Sequence, residues 1–131
     1  MSFISAKEHL QKYGLEKNII EFETSSKTVK EAAEVLHCEE NEIAKSLGFL
    51  VNLIVTSGDQ KIENGKFKTK FKEKAKMIPF VKVEEKIGHE VGGVCPFGIH
   101  ENVSVFLDES LKRFSTVYPA CGSHNSAVKL S

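Results

Sequence analysis

The sequence has no C-x-x-C pair, no long apolar run and no net charge, and each absence removes a class of protein. Cys38, Cys95 and Cys121 are odd in number and far apart, which argues against a disulfide framework and leaves no ligand spacing for a structural zinc site. Neither metal nor cofactor is expected. No stretch of about 18 apolar residues is present for a membrane span, and Met1 to Ile4 shows no signal-peptide pattern, so a cytoplasmic protein is expected. There is no internal repeat and no low-complexity linker. With 131 residues, 40% of them hydrophobic and 27% charged, the chain fits a single domain over residues 1–131 that needs no staple to fold.

The charge balance is zero only on average. Between residues 61 and 82 lie eight lysines (61, 66, 68, 70, 72, 74, 76 and 82) against Glu63 and Glu73. Such a face is either simply solvated or a contact for a polyanion.

Helical spacing of Phe3, Ala6, Leu10 and Tyr13 predicts a first helix, capped by Ser2 or Ser5 and ended by Gly14. Ile19 to Phe22 reads as a strand. Thr28-Val29-Lys30-Glu31 has the form of a capping box, and Val29, Ala32, Ala33 and Leu36 follow at i, i+3, i+4 and i+7. The apolar stretch from Ile43 splits into strands at about 44–50 and 53–57, closed by Ser57-Gly58-Asp59. Lys66 to Lys74 alternates in a strand-like way, but Phe67 and Phe71 are four apart, and a short helix is expected. A short strand at Met77 and Ile78, a helix starting at Pro79 and ending at Gly88, and strands at 103–107, 116–118 and 127–130 follow in turn. Asp108 can cap a short turn through Lys112. Helices early and strands late suggest an α/β chain with a mixed sheet and helices packed outside it.

The segment least able to be regular structure is Gly92-Gly93-Val94-Cys95-Pro96-Phe97-Gly98, between His89 and His100. Its glycines open conformations closed to other residues, and Pro96 removes a donor, so its amides must find turns, water or a ligand. It is either a tight connection or a site. Lys45 is the other odd residue: heading a strand that otherwise reads as core, it either snorkels to the edge or faces a pocket that takes a cation. A cysteine nucleophile can be imagined as Cys121 with His124, or Cys95 with His89 or His100, although no nucleophile motif accompanies either pair.

Thr28 to Ala33, Ile43-Ala44-Lys45-Ser46-Leu47, Ser57-Gly58-Asp59, Gly92 to Gly98, Asp108-Glu109-Ser110-Leu111 and Ala120-Cys121-Gly122-Ser123 occur in the order seen in YbaK-type aminoacyl-tRNA editing domains, which the chain resembles over nearly its whole length. These resemble the insertion domain of bacterial prolyl-tRNA synthetase. The resemblance implies a curved mixed sheet, partly barrel-like and surrounded by helices. It also implies hydrolysis of the ester of a mischarged tRNA, typically tRNA(Pro) carrying a small amino acid such as cysteine, alanine, serine or threonine. Lys45, Gly92 and Gly93 would then be catalytic, with Ser46, Val94, Pro96, Phe97, Asp108, Gly122, Ser123, His124 and Asn125 around the substrate. Lys66, Lys68, Lys70, Lys72 and Lys74 are expected at the tRNA acceptor stem. A transient complex with prolyl-tRNA synthetase is a further expectation, and the alternative is a non-catalytic module that binds tRNA ends or a small ligand.

Overall fold

In the computed structural model, residues 2–49, 52–72 and 75–131 are described, apart from the side chain of Ser2. Helix α1 (Ser2–Gln11) buries Ala6 and Leu10, one turn apart, against Cys95, Cys121 and Val128. It stops short of Tyr13, which is exposed, and Gly14 turns the chain with a φ of 68°. Strand β1 (Ile19–Glu21) follows. Helix α2 (Val29–Leu36) begins as its sequence predicts, with the Thr28 hydroxyl accepting from the Glu31 amide at 3.1 Å. The Glu31 carboxylate accepts from the Ser25 hydroxyl instead of closing the box, which ties the preceding loop to the helix. Ala32 and Ala33 let α2 lie close to Ile43.

The main sheet has the order β4-β3-β2-β5, built from β2 (Ile43–Gly48), β3 (Asn52–Ser57), β4 (Ser104–Leu107) and β5 (Tyr118–Pro119). β2 and β3 are antiparallel, whereas β4 runs parallel to β3 and β5 parallel to β2. β6 (Ser126–Val128) pairs with β1, and single bridges Ala120↔Ala127 and Val117↔Leu130 join that ribbon to the β5 end. The sheet therefore curls into a half-barrel with helices around it. Alternation along β3 divides its neighbours: Leu53 meets Ile78, Ile87 and Val103, while Ile54 meets Phe49 and Phe67 on the other face.

The lysine-rich segment forms helix α3 (Asn64–Phe71), not a strand. The Phe67 and Phe71 rings meet tilted, with centroids 4.6 Å apart, and anchor the helix to Phe49 and Phe106, so tertiary burial of one aromatic face decides against the alternating pattern. Pro79 stands just before, not within, the short helical turn at Phe80–Lys82 that leads to α4 (Val83–Ile87). Met77 contributes only a bridge to Phe49. The late strands are shifted and shorter than expected, because Val117 and Leu130 meet each other as an isolated pair. Asp108 caps the turn after β4, accepting from the Ser110 amide at 3.0 Å.

Candidate functional site

β5 pairs only with Ile43 and Ala44 of β2, and the Ile78 amide reaches Gly48 O further along the same edge. Between these points the β2 edge opens onto a cavity of about 330 Å³. Successive strand side chains leave on opposite faces, so Lys45 and Ser46 can both border one cavity only where it runs round a strand edge. Gly92 and Val94 line the same cavity. The Ser46 hydroxyl is buried and has no hydrogen-bond partner among the described residues. A buried hydroxyl at a cavity wall with no protein partner is a ready contact for a polar ligand atom.

Lys45 is half-buried, and its ammonium donates to Gly58 O at 3.2 Å. Burial lowers its pKa, with the nearby Asp59 carboxylate opposing. The acceptor sits in a braced turn. Ser57 Oγ lies 2.6 Å from Asn41 O, and Arg113 Nη2 donates both to Ser57 Oγ at 2.9 Å and to Asp59 Oδ1 at 2.8 Å. Hydrogen bonds from Arg113 and Ser57 hold the Asp59 carboxyl down to about 2. An ammonium has three donors, and one bond to Gly58 fixes its place without exhausting it.

The glycine loop divides in two. Gly92 has a φ of 97°, and a Cβ there would sit 2.6 Å from Lys27 Cβ; at Gly93 a Cβ would collide with the Gly122–Ser123 backbone. Only glycine lets the loop touch both neighbours. Gly93 N donates to Glu90 O at 3.0 Å and Gly93 O accepts from Gly122 N at 2.9 Å, so the Gly93 amide closes a turn and does not face a ligand. Among the described residues, the amides of Gly92 and Val94 make no hydrogen bond. Past Val94 the chain leaves the cavity. Cys95 is fully buried against α1, and Phe97 packs on the same cluster and on the His9 ring. Pro96, between them, does not border the cavity.

This second half contains a pair that looks reactive. Cys95 Sγ lies 3.4 Å from His89 Nε2, which also contacts Phe97 O. Both residues have no exposed surface. Burial pushes the Cys95 thiol up and the His89 imidazole down, so both stay neutral and no thiolate forms. His100 instead reaches Glu85 O at 3.0 Å. Cys121 is sealed in the α1 core with its thiol pushed up to about 11 by burial, while His124 is exposed, 4.0 Å from Glu90 Oε1.

Several residues expected at the substrate do not border the cavity. Asp108 is drawn into capping and a contact with the Thr56 hydroxyl, beside a second groove of about 540 Å³. Gly122 packs on Gly93, and Ser123 Oγ bonds to Asn125 Oδ1 at 3.1 Å and to Ser126 Oγ. Asn125 Nδ2 donates to Phe22 O and His124 O accepts from Ser26 N, so His124 and Asn125 clasp the loop before α2. The walls are supplied instead by Ser26, Lys27 and Thr28 of that loop, Tyr118 of β5 and Ala127 of β6. The start of the α2 capping motif was the signal for the first group; nothing local marks the others. Lys66, Lys68, Lys70 and Lys72 are exposed on or just after α3 and share no wall with the cavity. Lys66 pairs with Glu63 at 3.6 Å and Lys70 lies over the Phe106 ring at 5.8 Å. Lys74 falls outside the described residues.

Known proteins share this architecture. A family model for the aminoacyl-tRNA editing domain matches residues 23–131, and the chain belongs to that family. It is 49% identical over 136 residues to "Uncharacterized protein YwhH" of Bacillus subtilis (strain 168), covering 100% of this chain and 87% of that one. Among solved structures it is similar to one described as "a putative trans-editing enzyme for prolyl tRNA synthetase", with a TM-score of 0.88 and 27% identity over 99% of this chain and 86% of the other. A second, "hypothetical protein APE2540", gives 0.80 and 27%, covering 86% of this chain and 79% of that one. Among the described residues no helix is long and apolar enough to cross a membrane.

Proposed function

We propose that the protein is a trans-editing hydrolase of the cytoplasm that cleaves the ester of a mischarged tRNA, foremost tRNA(Pro) carrying cysteine, alanine, serine or threonine. The observation that supports this reading is the single cavity bordered by Lys45, Ser46, Gly92 and Val94. An aminoacyl ester is already activated, so no protein nucleophile is required. Water adds to the ester carbonyl carbon, the carbon–oxygen bond to the ribose breaks, and the products are the free amino acid and the tRNA 3′ hydroxyl. The amides of Gly92 and Val94 serve the developing oxyanion. A single aimed donor of this kind is worth about 3 to 4 kcal/mol. The Lys45 ammonium binds phosphate or ribose oxygens at the tRNA end. The neighbouring ribose hydroxyl, or the thiol of a cysteinyl substrate, assists the attack. Ser46 and Val94 bound the space for the side chain, in keeping with a second sieve that admits small residues and excludes the bulkier correct one.

The deciding experiment is a deacylation panel on tRNA(Pro) esterified with alanine, cysteine, serine and threonine, with and without prolyl-tRNA synthetase. Catalytic release of at least one amino acid is expected; absence of turnover across the panel overturns the enzyme reading in favour of a binding module. Lys66, Lys68, Lys70 and Lys72 serve the acceptor stem. Reversing their charges should weaken tRNA binding and reduce the slope of log affinity against log salt by about 1 for each phosphate no longer neutralised. An unchanged slope rejects that assignment.

A further inference from the structure

Phe80 is 74% exposed and Met77 54% exposed, and both border the mouth of the cavity with Val91. Large apolar side chains left in water at the rim of a pocket mark a contact surface more often than scattered ones do. The backbone that carries Phe80 and Met77 is anchored. The Ile78 amide is tied to Gly48 O at 3.0 Å, Lys82 N donates to Pro79 O at 2.8 Å, and Val83 and Ile87 of α4 root the turn in the core. An anchored turn thus carries an aromatic ring that is left largely exposed.

The cavity size says what the ring faces. About 330 Å³ lies at the small end of ligand pockets, enough for a small acyl group and part of a ribose. A base attached to that ribose must lie outside, at the mouth. Lys27 borders the cavity, and the exposed Lys76 and Lys82 flank the aromatic turn, giving cations for phosphates on either side; Glu84 and Glu85 follow on α4. One aromatic ring, with Val81 exposed beside it, stands between lysines, an arrangement that suits a single-stranded nucleotide.

We infer that Phe80, backed by Met77, is the stacking platform for the nucleobase of the tRNA's 3′-terminal nucleotide. This rests on the function proposed above and adds the base-binding subsite to it. The platform holds the terminal nucleoside so that the ester enters between Lys45 and the Gly92 loop. Stacking accepts any base, so the tRNA must be chosen elsewhere.

The test uses an acceptor-stem RNA hairpin with 2-aminopurine as its 3′-terminal base, whose emission is quenched on stacking. The wild-type protein should quench it, Phe80→Ala should not, and Phe80→Trp should restore quenching. In deacylation, Phe80→Ala should raise KM about ten-fold or more, with kcat much less affected and Phe80→Trp close to wild type. Quenching that survives Phe80→Ala, an equal defect in Phe80→Trp, or an effect of Phe80→Ala seen only with a synthetase present overturns the platform, the last in favour of protein docking. Turnover by a wild-type protein whose quenching ignores Phe80 sinks this inference alone. Quenching that depends on Phe80 in a protein with no turnover sinks only the hydrolase reading.

Discussion

The two halves of the glycine loop are neighbours in sequence and opposites in environment. Gly92 and Val94 border a cavity, whereas Cys95 and Phe97 are packed against α1. The half with the more reactive-looking chemistry, a thiol 3.4 Å from an imidazole, is fully buried and does not border the cavity. The half with almost no side chain is the one beside Lys45 and Ser46. Residue type alone therefore misleads here, because burial removes the charge a nucleophile needs, while open backbone donors remain useful without any side chain.

The largest expected effect comes from filling the cavity half. Gly92→Val forces a branched side chain into a φ of 97° against Lys27 and should lower deacylation about 100- to 1,000-fold. Lys45→Ala, which removes a charged group without disturbing the loop, should cost about 10- to 100-fold with little change in thermal midpoint. Steady-state kinetics on whichever mischarged tRNA turns over checks both, and near-normal rates in either variant would place the chemistry elsewhere.

In the buried half the pattern should invert. Cys95→Ala should reduce unfolding free energy by about 1 to 3 kcal/mol in urea while leaving the rate per folded molecule unchanged. A rate collapse in a stably folded Cys95→Ala protein would restore the cysteine as a nucleophile.

The smallest effect concerns the turn that holds Lys45. The Asp59 carboxyl has a folded pKa of about 2 against an ordinary 3.8. Its pairing with Arg113 therefore contributes full stability above about 3.8, and that contribution disappears as pH falls towards 2. Denaturation curves between pH 6 and pH 2 should show a shallower acid limb in Arg113→Ala than in wild type. Equal limbs would mean that the pair does not brace the turn.

Much of the fold was legible because its signals are local. Thr28 caps α2, Asp108 caps the turn after β4, and Gly88 ends α4 with a φ of 109°. The segment from Lys66 was ambiguous for a physical reason: alternating lysines fit a strand and paired phenylalanines a helix, and only the waiting surface of Phe49 and Phe106 decides between them. Site residues were harder to read. Ser123, His124 and Asn125 look available in sequence, but the Ser123 hydroxyl bonds to Asn125 and Ser126, and His124 O and Asn125 bond to the loop at Phe22 to Ser26. Nothing in the sequence marks the exposure of Phe80 and Met77 at the cavity mouth, since an exposed aromatic is recognisable only once its neighbours are known.

By its own order of residues the chain determined its helix caps, its glycine bend and the presence of one cation in a largely apolar strand, because these depend on neighbours within a few positions. Which half of the bend meets that strand was decided only by tertiary packing. The contact between Gly93 and Gly122 turns Val94 towards the cavity and Cys95 away from it. Residues separated by so much chain are brought together by burial of shared apolar surface, a property of the whole fold that no short stretch encodes.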